Sequence, residues 1–426
     1  MIRNPTPALH FLAARSRWLF ATAFAVGLSV SGVTLLGQDI VTTTPQESAV
    51  PAALKQVQDA ENPIVSQATP ANLPDSPLVM SGPFTVRAHL AYRLEYADGL
   101  PDPSGQDRST SIQNLSTDIF VDLGRHWVFD YLPTLVYYGN SAFTNSVDQS
   151  LRLNGWASYE DWTLQMSNSY SSTTSPNVQI GEQARQITWT NSIGALYSIN
   201  SALGLELGLS HSYQSAEEFA SSHEYATADW LHYKAAPRLD TSVGLAYGYV
   251  DMSTGTDNTY VRPQIRLTWS VLSKISLSAH AGEETRHFRD GVAANANNPI
   301  YGASLQWQPI ETTRITIGAD RLVATTYFAG VIMKTNQWNA GLEQRLLQHF
   351  YFSASIAQQK NDYVIPAGVL VSVRNDDTYS YDFRVSTDLF GRATAAVFLQ
   401  DTHNSSDLSQ FALSSRQYGL EVGYRF

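Results

Sequence analysis

Residues 84–96 read FTVRAHLAYRLEY, and their character changes at every step. Phe84, Val86, Ala88, Leu90, Tyr92, Leu94 and Tyr96 fall on one side; Thr85, Arg87, His89, Ala91, Arg93 and Glu95 fall on the other. Helical spacing would scatter these residues around an axis. A strand, whose side chains alternate between two faces, separates them cleanly. The same period returns at Leu115–Leu123, Val261–Val271 and Tyr379–Leu389. The chain holds about eighteen such segments, each roughly 9–13 residues long. Weaker ones near 222–233, 331–345 and 393–401 leave a range of roughly 16–18.

The connections between segments are sorted by length. Short ones fall at 124–125, 159–161, 198–201, 234–238, 272–274, 308–313, 347–349 and 391–392. Long polar ones fall near 97–110, 139–146, 171–182, 214–222, 250–258, 286–298, 324–332, 360–377 and 402–413. A soluble sandwich has no reason to sort its loops this way. A barrel crossing a membrane has one, with short turns at one rim and long loops at the other. Segment length agrees, since a tilted spanning strand needs about 9–11 residues. The fold expected is all-β: a transmembrane antiparallel up-and-down β-barrel.

The two faces decide which side meets lipid. Arg87, Arg93, Asp118, Arg152, Glu206, Arg262, Arg266, Asp320, Asp382, Arg384 and Glu421 share the polar face, with Asp122 and Glu343. Each Arg at the bilayer midplane would cost about 2–4 kcal/mol if that face met lipid. The charges therefore point inward, into a water-filled lumen, and the first eleven are the candidate pore-lining residues. Their signs suggest a transverse field, with the arginines facing Asp118, Glu206, Asp320, Asp382 and Glu421. Aromatics bound the apolar face at both ends. Trp127, Trp162, Tyr197, Trp269, Trp307, Phe350, Phe352 and Tyr424 lie near the short turns. Tyr96, Tyr137, Tyr170, Tyr213, Tyr249, Tyr301 and Tyr379 lie near the long loops. Amphipathic rings form such belts at the two interfaces of a bilayer.

Outside the alternating region the chain reads differently. Residues 1–37 have the form of an export signal, with Arg15 and Arg17 ahead of an apolar stretch from Trp18 to Leu36. Residues 38–82 carry six prolines and no apolar period, as a disordered periplasmic linker would. The barrel is expected over 83–426. The formal charge of −11 and the lack of any basic run argue against nucleic acid as a partner. The absence of cysteine removes thiolate chemistry and disulfides.

The last nine residues are YGLEVGYRF. Tyr418, Leu420, Val422, Tyr424 and Phe426 alternate up to a terminal aromatic. This stretch resembles the assembly signal of Gram-negative outer-membrane β-barrel proteins. The resemblance implies recognition by the barrel-assembly machinery and a place in the cell outer membrane beside lipid and lipopolysaccharide. The opening RLEYADGLPDPSGQDRST, residues 93–110, is similar to first strands of the second family of β-barrel porins, some of which accompany exopolysaccharide export. The chain is too short for the plug and twenty-two strands of a TonB-dependent receptor. It shows no constriction-loop motif of the general trimeric porins. Trimers are common among porins, so a homo-oligomer is left open.

Catalysis and metals find little support. No Gly-x-Ser-x-Gly is present, and Ser210-His211 and Ser222-His223 are adjacent, so their side chains take opposite faces. The ten histidines show no metal-ligand spacing, although His211 and His223 flank one loop and can approach each other. The acidic loops 98–107, 251–258 and 361–377 lack the calcium-loop pattern and read as solvated. No catalytic residue, metal or cofactor is assigned. Two functions remain. One is a channel for passive passage of hydrophilic solutes, with a polysaccharide as a further candidate. The other is a structural or adhesion barrel whose lumen is blocked by loops, with 286–298 and 360–377 long enough to fold inward.

Overall fold

The computed structural model describes residues 79–289, 296–347, 349–367 and 369–426. The expected export signal and all of the expected linker before residue 79 lie outside the described residues. A short β1 (Val79–Ser81) comes first. Then follow β2 (Phe84–Pro101), β3 (Asp107–Leu123), β4 (Trp127–Tyr138), β5 (Ser146–Tyr159), β6 (Trp162–Asn177) and β7 (Glu182–Ser198). Next are β8 (Leu203–Ala216), β9 (Ser222–Ala236), β10 (Leu239–Met252), β11 (Asn258–Leu272), β12 (Ile275–Phe288) and β13 (Ala296–Ile310). The last are β14 (Thr313–Thr325), β15 (Ile332–Leu346), β16 (Phe350–Ala367), β17 (Val369–Leu389), β18 (Ala393–Ser406) and β19 (Leu413–Arg425). One 3₁₀ turn, Ser409–Phe411, precedes β19.

Each strand from β2 to β19 pairs antiparallel with its sequence neighbours, and β19 returns to β2 from Arg416↔Asp98 to Arg425↔His89. The result is a closed barrel of eighteen strands. Closure removes the unpaired strand edge that lipid could not satisfy. β19 is shorter than β2, and its end is held by Phe426, whose amide donates to the Ala88 carbonyl at 3.1 Å. Beyond that point β1 takes over the edge of β2, pairing Val79↔Val86 to Ser81↔Phe84. Those residues belong to the stretch expected to be linker. The free edge they cover explains why they order.

The expected short turns all stand between barrel strands at one rim, and the weak segments are real strands, β9, β15 and β18. Strand length differs from expectation. The barrel strands run from 12 residues in β4 to 21 in β17. The extra residues lie on the long-loop side, where stretches read as loops continue the ladder. Residues 360–377 are the clearest case, since β16 and β17 stay paired as far as Ala367↔Val369. A polar, proline-containing sequence looks like a loop locally. Pairing with a neighbouring strand satisfies its backbone all the same, and only the fold supplies that neighbour.

Exposure alternates as the sequence implied. In β2, Leu90, Tyr92, Leu94 and Tyr96 are exposed while Arg93 and Glu95 are buried. In β19, Tyr418, Leu420, Val422 and Tyr424 are exposed while Glu421 is buried. The aromatics of the short-turn belt pack on the outer wall, with Trp162 and Tyr197 rings 4.7 Å apart and Tyr424 and Phe426 5.2 Å apart. The inner face is not polar along its whole length. Toward the long-loop rim, inward Ala97, Leu100, Ile112, Val136 and Tyr138 form a buried apolar cluster with Phe143, Val178 and Leu413.

Candidate functional site: the inner wall and its outer cap

The inward charges are paired along the wall. Arg87 meets Asp122 across β2 and β3 at 2.9 Å. Arg93 pairs with Glu95 on its own strand at 2.7 Å and lies 3.8 Å over the Phe398 ring. Arg262 binds Glu284 at 2.5 Å, and Arg286 binds the other oxygen of the same carboxylate at 2.9 Å. Arg384 reaches over β18 to Glu421 at 2.9 Å. Arg266 reaches back over two strands to Glu206 at 2.9 Å and lies 4.4 Å over the Trp230 ring. His232 completes this last group, with Nε2 at 2.7 Å from Glu206 and Nδ1 at 3.3 Å from Asp240.

The other candidates have smaller contacts. Asp118 stands 3.9 Å from His89. Arg152 lies opposite Asp130 in register. Asp382 accepts a hydrogen bond from Ser355 Oγ at 3.1 Å. Asp320 lies over Gly302; a Cβ there would sit 2.0 Å from the carboxylate and 2.5 Å from the His280 ring. That glycine is the space in which the acid and the imidazole meet.

The closest of these contacts run along the wall, between side chains on the same or nearby strands. Within the expected set, Arg266–Glu206 and Arg384–Glu421 pair. Arg87, Arg93 and Arg262 make their ion pairs with Asp122, Glu95 and Glu284, while Arg152 lies near Asp118 and Asp130, and Arg93 near Asp382. Strands lie about 4.8 Å apart, so an arginine leaning along the wall reaches one to three strands away. A nearby carboxylate screens its charge at far lower cost than leaving it alone in a partly dry interior. Glu206, Glu284, Arg93 and Glu421 are almost wholly buried as a consequence. Asp122 and Glu95 were legible as polar-face residues. His232, Glu284 and Arg286 were not singled out, because their contacts depend on the register between adjacent strands, which one sequence does not give.

At the long-loop rim the connections fold inward and touch across the barrel. Arg374 of β17 donates to the Val178 and Gln179 carbonyls, in the loop between β6 and β7, at 3.1 and 2.7 Å. Its guanidinium holds Asp376 and lies between two rings, 3.5 Å over Phe411 and 4.4 Å over Tyr363. Phe328, from the loop between β14 and β15, meets Phe219, Tyr363 and Phe411 edge-on. Beside it the Ala220 amide donates to the Tyr327 carbonyl at 3.0 Å. Ile180, Ala184, Ala216 and Tyr327 make a buried cluster with Phe219 against it. Burial pushes the Tyr327 phenol up to about 12. Gly181, at φ 77°, lets the β6–β7 loop approach; a Cβ there would lie 2.9 Å from the Gln410 carbonyl and the Phe411 ring. Four loops from distant strands thus form an aromatic cap centred on one arginine.

The inward contacts come from the loops at 178–181, 219–220, 327–328 and 411, together with residues of 360–377. Residues 360–377 contribute Tyr363, Arg374 and Asp376 from strands rather than from a folded-in loop. Of 286–298, residues 290–295 lie outside the described residues. The first long loop is ordered by its own chemistry. Asp102 accepts hydrogen bonds from Ser104 N and Oγ, Gln106 N and Arg108 Nε at 2.6–3.1 Å. Burial alone would raise this carboxyl, but the bonds from Ser104, Arg108 and Gln106 outweigh it and hold it at about 2.

His211 and His223 do approach, with Nε2 and Nδ1 3.2 Å apart, and His211 also contacts Asn191. Their strand positions place them on the outer face beside Leu209 and Tyr225, away from the inner wall. Among the described residues, no group of three His, Asp or Glu is placed to hold a metal ion.

Residues 273–426, from the turn before β12 to the last residue, match the model of the family described as putative beta-barrel porin 2. Over these residues the chain is similar to that family of barrels. The matched stretch runs from β12 to β19 and includes the alternating C-terminal strand, one side of the seam at which the barrel closes. No curated protein matches the sequence. Among solved structures, OccK2 (OpdF) of Pseudomonas aeruginosa is similar at 11% identity and a TM-score of 0.45, over 80% of this chain and 98% of that one. OccK5 (OpdH) of the same organism is similar at 12% identity and a TM-score of 0.43, over the same shares. The siderophore receptor PirA from Acinetobacter baumannii is similar at 6% identity and a TM-score of 0.41, over 80% of each chain.

Proposed function

We propose that the protein is an outer-membrane channel that passes small hydrophilic solutes down their gradients, with an outer mouth narrowed by the aromatic cap. The observation that carries this reading is the inner wall itself. Charged and amide side chains from Arg87 at one end to Arg262 and Glu284 toward the other face inward on a barrel whose outer wall is apolar. A barrel needing only to stand in lipid gains nothing from so many buried charges, since apolar residues of similar volume would be as stable or more so. Pairing leaves each segment of wall near neutral, which suits polar solutes of either sign better than a strongly selective filter. Polysaccharide passage, by resemblance, and export through a cleaved signal, by the pattern of residues 1–37, are part of the proposal. So are contact with lipopolysaccharide, delivery by the assembly machinery through Tyr418–Phe426, and any homo-oligomer.

The test is single-channel recording in planar bilayers, joined to swelling of proteoliposomes in small sugars. Folding is verified by a heat-modifiable gel shift. Discrete conductance steps and sugar-driven swelling are expected. Folded protein that gives neither, even after the cap is opened by Arg374→Ala, would sink the channel reading. The second reading, a structural barrel closed by its loops, is favoured by the cap and would then stand.

A further inference from the structure

We infer that Leu347 and Phe390, at the tips of two neighbouring short turns, anchor this side of the barrel in the phospholipid leaflet at its short-turn rim. The inference rests on the membrane reading proposed above. Both residues have positive φ, 49° for Leu347 and 52° for Phe390. A bulky L-residue adopts this conformation at a steric cost, and tight hairpin turns normally give the position to Asn, Asp or Gly. Phe390 is followed by Gly391 at φ 75°, so the turn has the form in which Asn-Gly is the usual pair.

Packing within the protein does not repay that cost. Phe390 is 97% exposed and Leu347 is 83% exposed. Each would also order water around an apolar side chain if its tip stood in solution. Both tips continue an apolar surface that the fold assigns to lipid. Leu346 and Leu389 end the strands leading into the turns, Phe350 opens the next strand, and all three are exposed on the outer wall. Basic residues follow each tip, His349 after Leu347 and Arg392 after Phe390, and both are exposed. An apolar tip with a polar head beside it, the Arg392 guanidinium or the His349 imidazole, matches a lipid interface, where the one enters the acyl boundary and the other meets the headgroups. The other six short turns contain Arg125, Glu160, Asn200, Arg238, Lys274 and Glu311, and of large apolar residues they expose Ile199, at 48% against 83% and 97% at the two tips. Glu160 also has positive φ, at 51°, so the conformation does not itself demand an apolar residue.

The lack of cysteine makes the test direct. Leu347→Cys and Phe390→Cys are each labelled with a nitroxide, and the full-length protein is folded into vesicles of phosphatidylethanolamine and phosphatidylglycerol. Collision rates with oxygen, which partitions into lipid, and with a water-soluble nickel chelate are read by electron paramagnetic resonance. Val397→Cys on the outer wall serves as the lipid reference and Glu311→Cys as the water reference. At 347 and 390 the oxygen-to-nickel ratio is expected several-fold above that at 311 and close to that at 397. If 397 reports lipid while 347 and 390 match 311, the anchors are overturned and the tips stand in water, where a periplasmic protein becomes the candidate partner. If 397 itself reports water, the membrane reading fails first. A gel shift establishes that each labelled variant is folded, and either tip alone suffices should the other not fold.

Discussion

Removing the Arg374 guanidinium should open the cap without unfolding the barrel. The side chain is buried, pairs with Asp376, and donates to two carbonyls of the β6–β7 loop. Arg374→Ala leaves the buried Asp376 carboxylate without its counter-ion and with the Tyr363 hydroxyl still beside it, a change that costs up to about 3–5 kcal/mol. The bonds to Val178 and Gln179 and the stacking on Phe411 are lost in the same event, so their values are not added to that figure. The eighteen-strand ladder does not depend on this contact, and the loss should appear as local opening. The Gly181 amide, which donates to the Asn177 carbonyl at 2.8 Å, reports on it directly. A loss of 3–5 kcal/mol corresponds to about 10²–10⁴-fold faster hydrogen exchange at that amide. Mean conductance should rise alongside. Arg374→Met combined with Asp376→Leu removes both charges and should accelerate exchange much less, because no lone ion is left. Gly181 exchange within about tenfold of the parent in Arg374→Ala would refute the account of the cap.

Three further outcomes are expected. Gly181→Ala adds a Cβ against Gln410 and Phe411 at positive φ, so it should cost at least about 1–2 kcal/mol locally and raise conductance as Arg374→Ala does. Val397→Arg puts a charge on the outer wall and should lower folding stability in bilayers by about 2–4 kcal/mol, measured by urea titration; no loss there would argue against lipid at this face. The Asp102 loop should be acid-sensitive: its carboxyl sits below the ordinary value of 3.8, so its contribution is present above about pH 4 and is lost as pH falls through about 2. Protease nicking of residues 102–106 should increase over that window, and Asp102→Asn should abolish the dependence.

Much of this molecule was set by the sequence alone. Alternation of apolar and polar residues separates the two faces of every strand, because a strand has a period of two whatever it pairs with. Loop sorting then orders the strands up and down, and the final Tyr418–Phe426 stretch marks the closing strand. Those signals are local, so they survive without knowledge of neighbours. Which charge meets which could not be read, because Arg266 and Glu206 are sixty residues apart and are joined only by the curvature of three intervening strand pairings. The cap was hidden for the same reason. Arg374 lies in a stretch that reads as a solvated loop, and Val178 lies in another; neither has a partner until the barrel closes and brings separate parts of one rim within reach. Sequence period fixed the wall and its two faces, and tertiary closure decided how the wall's charges cancel and what covers its mouth.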